Sequence, residues 1–236
     1  SGNASLVSKL AEKSARTILS QTKGRDRSQH TIRKFANSLE EFSKTLSTCR
    51  GRDISATVIR LKINLENCKK VKLNAPLNKP LKPLLEKINK QMKLFPENPD
   101  KDGIQAARWC TEHNLIQQGY TILQETLISY FLSMTGEDPY NFKSKNRRLV
   151  NQAIYIFFDG FPEKTNEKKS PEDRKITNKL LDFFKRNRVI VEIHRNLSKL
   201  RNDINHCGFN EDPAKANTLT GKLIEFINQV QKIISA

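Results

Sequence analysis

Apolar residues recur at intervals of three and four along almost the whole of this 236-residue chain. No segment sustains the every-second-residue alternation of a half-buried strand. This periodicity predicts an all-α protein. A first helix is expected from Ala4 to Gln21, with Leu6, Leu10, Ile18 and Leu19 near one face. After the basic loop TKGRDR, a second runs from Gln29 to Leu46 on the stripe Ile32, Phe35, Leu39 and Phe42. CRGRDIS reads as a turn whose Asp53 is placed to cap the next helix, which runs to Cys68. Three prolines in LNAPLNKPLKP break the pattern. PLLEKINKQMKLF resumes it, and FPENPDKDG is the clearest boundary in the chain.

That boundary separates a basic helical segment, residues 1–98, from a helical-bundle domain, residues 99–236. The domain opens with IQAARWCTEHNLIQQGYTILQETLISYFLSMTG, patterned as one long helix bent near His113 and Asn114 and ended by Gly136. The polar loop TGEDPYNFKSKNRR leads to the apolar helix LVNQAIYIFFDGF. PEKTNEKKSPED is a second solvated loop, followed by a helical segment from Ile176 to Phe184. RNRVIVEIHRNLSKLRNDINHCG and a last helix, Pro213 to Ser235, complete the pattern.

The formal net charge of +17 favours a polyanionic partner, through long-range attraction and counterion release. The excess is uneven: residues 1–100 carry +12 and residues 101–236 carry +5. A lysine-rich solubilising surface would give the same totals. Four scattered cysteines (Cys49, Cys68, Cys110, Cys207) form no C-x-x-C pair and no zinc-like Cys/His spacing. They point to a reducing, cytoplasmic setting, with Cys110 and Cys207 as small core or pocket-wall residues. No apolar run approaches membrane-spanning length, so no membrane partner is expected. No metal ligand set or cofactor motif stands out.

Arginine precedes histidine by five positions three times: Arg25–His30, Arg108–His113 and Arg201–His206. With four histidines in all, spacing alone decides nothing. Arg25 sits in a charged linker without apolar support. Arg108 and His113 adjoin Trp109, Cys110 and Leu115, which suggests packing at a pocket border. Only RNDINH, Arg201 to His206, joins a rigid apolar helix to flanking amides and a glycine stop at Gly208. The supporting stripe is Val189, Ile193, Leu197, Leu200 and Ile204. Five residues of ideal helix set two side chains about 140° apart, so one copy need not make them converge. Basic groups at a helix C-terminus also simply oppose its dipole, with no chemistry.

RNDINH resembles the R-x4-H motif of the HEPN superfamily, in the form with asparagine directly after arginine. WCTEHNLIQQGYTILQET (Trp109 to Thr126) is similar to the helix opening the HEPN domain of CRISPR-associated CARF–HEPN ribonucleases of type III systems. FSKTLSTCRGRDI and PLKPLLEKI (Phe42 to Ile54, Pro80 to Ile88) are similar to their helical segment between sensor and nuclease. The resemblance touches most of the chain. Full-length members begin with a Rossmann-like CARF sensor for cyclic oligoadenylate. Here no strand–helix alternation or glycine-rich phosphate loop stands for one, so the sequence reads as the effector part alone, truncated or naturally separate.

The resemblance implies metal-independent cleavage of single-stranded RNA in antiviral defence, with two motif copies meeting across a homodimer. The residue types permit it. RNA supplies its own 2′-hydroxyl nucleophile; a guanidinium holds the scissile phosphate and stabilises the phosphorane, and an imidazole transfers protons. Arg201 is assigned to the phosphate and His206 to acid/base work or leaving-oxygen stabilisation. Asn202 and Asn205 would orient RNA or those two groups, and Asp203 would pair with an arginine or stand exposed. Glu125 and His113 are candidate pocket residues. The clustered carboxylates of a two-metal nuclease are not evident. Two other readings stay open: a non-catalytic nucleic-acid-binding module, and a HEPN toxin of a toxin–antitoxin pair.

Overall fold

The computed structural model describes residues 27–70, 81–141, 145–160 and 170–235. The expected helix Ala4 to Gln21, the TKGRDR loop up to Asp26, Arg25 and most of the proline-rich break lie outside them. The described residues form nine α-helices and one 3-10 turn, with no strand. The all-α expectation therefore holds. The chain divides into two compact units, Ser1–Leu115 and Ile116–Ala236.

In the first unit, α1 (Arg27–Ser47) pairs with α2 (Ile54–Lys69). Phe35, Leu39, Phe42 and Leu46 of the former are buried, as are Val58, Leu61 and Leu65 of the latter. Burial of side chains of this size contributes about 1.5–3 kcal/mol each. The turn between them is the 3-10 segment Gly51–Asp53. Asp53 occupies the N-cap position of α2 but makes no side-chain cap bond, because the tight turn already satisfies the chain entering the helix. The expected Asp53 cap is thus replaced by backbone bonding. Helix α3 (Leu81–Met92) packs on α2 through Leu85, Ile88 and Met92.

Helix α4 (Pro99–Glu112) begins at Asn98, whose side chain accepts from the Lys101 amide, with proline in the first turn. It packs on α2 within this unit. Packing therefore divides the chain one helix later than the boundary read after residue 98. Trp109 meets Phe42 edge-on at 5.4 Å, and the fully buried Asp102 accepts from the Ser55 hydroxyl at 2.7 Å and the Glu97 amide at 3.1 Å. Burial pushes the Asp102 carboxyl above the usual range, against the opposing pull of those two bonds. Asp102→Ala should strand both donors and cost about 1–3 kcal/mol. Urea unfolding followed by Trp109 fluorescence reads this directly; an unchanged midpoint would mean the tie contributes nothing.

The long helix expected from Ile104 to Gly136 is two helices. Asn114 adopts a left-handed φ of +58°, and the Leu115 amide returns to the Cys110 carbonyl, closing α4 before the next helix starts.

That next helix, α5 (Ile116–Met134), is the centre of the second unit. It packs on α6 (Asn146–Asp159), α8 (Arg188–Asn205) and α9 (Ala216–Ser235), while α7 (Pro171–Arg186) packs chiefly on α6. Ser170 caps α7 by accepting from the Asp173 amide, again with proline in the first turn. Phe131 of α5 lies among Phe183, Phe184 and His194 at ring distances of 5.2–6.0 Å. Asn187 separates α7 from α8 without a loop. Among the described residues no helix is long and apolar enough to cross a membrane.

Candidate functional site

Helix α8 carries the RNDINH stretch, and its buried residues are Ile190, Val191, Ile193, His194 and Leu197. Val189, expected on the stripe, is 64% exposed. Three consecutive β-branched residues, 189–191, allow the apolar stripe to begin one position later, and packing on α5 selects that choice. Leu200 and Ile204 are half-buried. The helix ends at His206, whose amide donates to the Asn202 carbonyl. Cys207 and Gly208 then take left-handed φ values of +56° and +73°, and the Gly208 amide returns to the Asp203 carbonyl. Cys207 is exposed at this turn, not a pocket-wall residue as expected, because the cap points its side chain out of the bundle. Cys110 is buried as expected, and burial pushes its thiol up to about 12.

Arg201 is half-buried, with a fully enclosed Nε and an Nη1 that donates to the Asn202 side-chain carbonyl at 2.9 Å. It shares a helix face with His194, Ser198 and Asn205, which stand seven and three residues before it and four after. Ser198 and Asn205 both meet α5: Gln124 donates to the Ser198 hydroxyl at 3.2 Å, and Gln117 to the Asn205 side-chain oxygen at 3.0 Å.

His206 is exposed and faces elsewhere. It lines a groove of about 1050 Å³ between α8, α9 and the segment joining them, together with Asn202, Asp203 and Phe209. Arg201 and Asn205 are not part of that wall. One copy of the chain therefore presents Arg201 and His206 on different faces, in keeping with the 140° offset of an ideal helix. Among the described residues the His206 imidazole has no hydrogen-bond partner. Lys199, Lys215 and Lys222 line the groove beside Asp203, Glu211, Asp212 and Glu225, so its charge is nearly balanced. It is no positively charged track for a long polyanion.

Asp203 is neither exposed nor paired with an arginine. Its carboxylate accepts from the Asn210 side chain and, at 2.9 Å, from the Ala214 amide, tying the segment after His206 back onto α8. Asp203→Ala should free residues 207–214 and lower stability by about 1–2 kcal/mol. Hydrogen exchange at the Ala214 amide checks this, and unchanged protection there would count against the clamp.

Glu125 is held in an ion pair: its carboxylate accepts from Arg147 Nη2 at 2.6 Å, and the same nitrogen reaches the Glu125 carbonyl. Arg147 also donates to Ser129, so this cluster fixes α6 on α5 and lies outside the His206 groove. His113 belongs to the first unit, where it stacks on Trp109 at 4.7 Å and its Nδ1 donates to the Trp109 carbonyl at 2.9 Å. His30, of the first arginine–histidine pair, is exposed on α1.

Three residues near this site escaped the sequence reading. His194 stands beside the stripe residue Ile193 on the buried face of α8, but its neighbours become visible only once α5 is in place. Gln124 looks like any polar position of an amphipathic helix. Phe209, 90% exposed beside His206, carries no periodic signal because it follows the helix cap. Among the described residues no three His, Cys, Asp or Glu side chains gather as metal ligands would.

No known family model matches this chain, and neither the curated proteins nor the solved structures include a match.

Proposed function

We propose that this protein is a HEPN-type endoribonuclease that cleaves single-stranded RNA without a metal, in CRISPR-linked antiviral defence. The observation that carries the reading is the end of α8. There a guanidinium with an enclosed Nε and an unengaged imidazole leave the end of one helix, flanked by Asn202 and Asn205. The 2′-hydroxyl attacks the adjacent phosphorus while Arg201 holds the phosphate oxygens and neutralises the charge that develops on them. His206 serves proton transfer to or from the reacting oxygens. The bond to the 5′-oxygen breaks, leaving a 2′,3′-cyclic phosphate and a 5′-hydroxyl. Since the two groups face apart in one copy, a homodimer that joins two α8 ends completes the site. A CARF sensor and its cyclic oligoadenylate would govern the activity in a full-length relative.

Labelled single-stranded RNA incubated with the protein and EDTA tests this. Cleavage to those product ends is expected, with DNA of the same sequence left intact. Activity that survives Arg201→Ala and His206→Ala, or that requires an added divalent metal, would overturn the assignment. The second reading, a non-catalytic nucleic-acid-binding module, is favoured by the +12 charge of residues 1–100. It predicts steeply salt-dependent binding with no cleavage by the wild type.

A further inference from the structure

Four buried side-chain atoms among the described residues of the second unit have no hydrogen-bond partner: Gln124 Oε1, Arg201 Nε and both ring nitrogens of His194. All four lie on one helix pair. Helices α5 and α8 run antiparallel, since Gln117 meets Asn205, Gln124 meets Ser198, and Phe131 meets His194. Arg201 falls between the first two of these contacts, about 4.5 Å along the axis from the level of Gln124. The Gln124 amide is oriented by its bond to Ser198, which leaves its oxygen free to accept from the same face of α8.

The unpaired atoms complement one another. Arg201 Nε–H is a donor, Gln124 Oε1 an acceptor, and a neutral imidazole is one of each. An enclosed acceptor is costly to leave unused, and an aliphatic side chain would fill the seam without that cost. In the structure the guanidinium is tied through Nη1 to Asn202. A phosphate taken in fork geometry engages one N–H of each Nη group and can turn the guanidinium plane off that tie, while the inner Nε–H, enclosed in the seam, still needs an acceptor of its own.

We propose that Gln124 is a positioning residue for Arg201: once the guanidinium leaves Asn202 for a phosphate, the Gln124 side-chain oxygen accepts its Nε–H and fixes the plane of the fork. The phosphate role rests on the ribonuclease reading above, but the pairing itself does not. His194 lies about two turns before Arg201 on α8, against Phe131, and burial together with the Arg201 charge pulls its pKa down to about 4. Arg201 is therefore the only cation of the three near neutrality.

Asn202→Ala releases the guanidinium without any RNA. In that chain the Arg201 Nε–H, followed by nitrogen-15 NMR, is expected to exchange about tenfold more slowly than in N202A/Q124M. Methionine keeps the length of glutamine and removes the acceptor. On single-stranded RNA, Q124M alone is expected to lower kcat about tenfold, with KM and the thermal midpoint essentially unchanged. Q124E, which retains an oxygen acceptor, should recover much of the loss, and Q124M should add nothing in an R201K background. Equal exchange rates in the two Asn202-substituted chains, or independent and additive losses of kcat, would overturn the proposal. If the wild-type chain cleaves no RNA, the ribonuclease reading fails by itself, while the exchange comparison still decides whether Gln124 holds Arg201.

Discussion

On the ribonuclease reading proposed above, Arg201→Ala is expected to cut the cleavage of single-stranded RNA by about 10³-fold while leaving the helical fold intact. The loss should appear in kcat, because the guanidinium contributes most where negative charge gathers in the transition state. Arg201→Lys is expected to be nearly as damaging: a lysine supplies a point charge, not two parallel donors, and has no Nε–H to anchor. Stability should change little. Arg201 contributes a partnerless buried Nε and one exposed-side bond to Asn202, neither of which supports the core. Its removal also relieves the electrostatic pressure on His194, whose proton affinity should rise toward the ordinary value. Single-turnover cleavage with EDTA, paired with thermal unfolding, separates these effects. A catalytic loss accompanied by an equal collapse of the fold would mean that Arg201 is a structural residue.

The sequence already contains the reason that Arg201 and His206 part in one copy of the chain, because positions five apart on a helix diverge. The fold retains this divergence, with Arg201 over the α5 seam and His206 in the groove beside α9. Helix termini were legible where the chain marks them chemically. Gly136 ends the α5 segment with a φ of +76°, and Gly208 completes the cap after His206. The sequence shows the break at Asn114 only as a bend, since Asn-Leu inside an apolar pattern does not announce a left-handed residue. Val189 and Cys207 were misplaced for a shared reason. Apolar character says that a side chain would gain from burial, but only the packed neighbours determine which of several adjacent positions receives it. The Gln124–Ser198 and Phe131–His194 contacts depend on the antiparallel register of two helices more than 60 residues apart, which local periodicity does not encode. Asp203 looked like part of a catalytic signature, yet its carboxylate is spent on Asn210 and Ala214.

His194 should make the stability of the second unit fall in acid. Its imidazole is enclosed, lies tilted against Phe131 and has no partner for either nitrogen among the described residues. Burial first, and the Arg201 charge second, lower its pKa from 6.5 to about 4. The unfolded chain therefore takes up the proton near pH 6.5, whereas the folded chain resists until about pH 4. Between those values the unfolded state binds more protons, so stability is full above the window and declines as the pH drops through it. At 1.36 kcal/mol per unit, the shift corresponds to a loss of about 3 kcal/mol once both states are protonated. His194→Leu keeps a side chain of suitable bulk and removes the proton site, so it should abolish this component and add a little stability at pH 7. Native-state hydrogen exchange at the Leu197 amide, corrected for intrinsic rates, reports the second unit without interference from the first. The difference in opening free energy between wild type and variant should widen by about 3 kcal/mol from pH 7 to below pH 4. A difference that stays constant over that range would mean that His194 already shares its proton with a partner in the folded protein, and Gln124 Oε1 would then be the acceptor to examine.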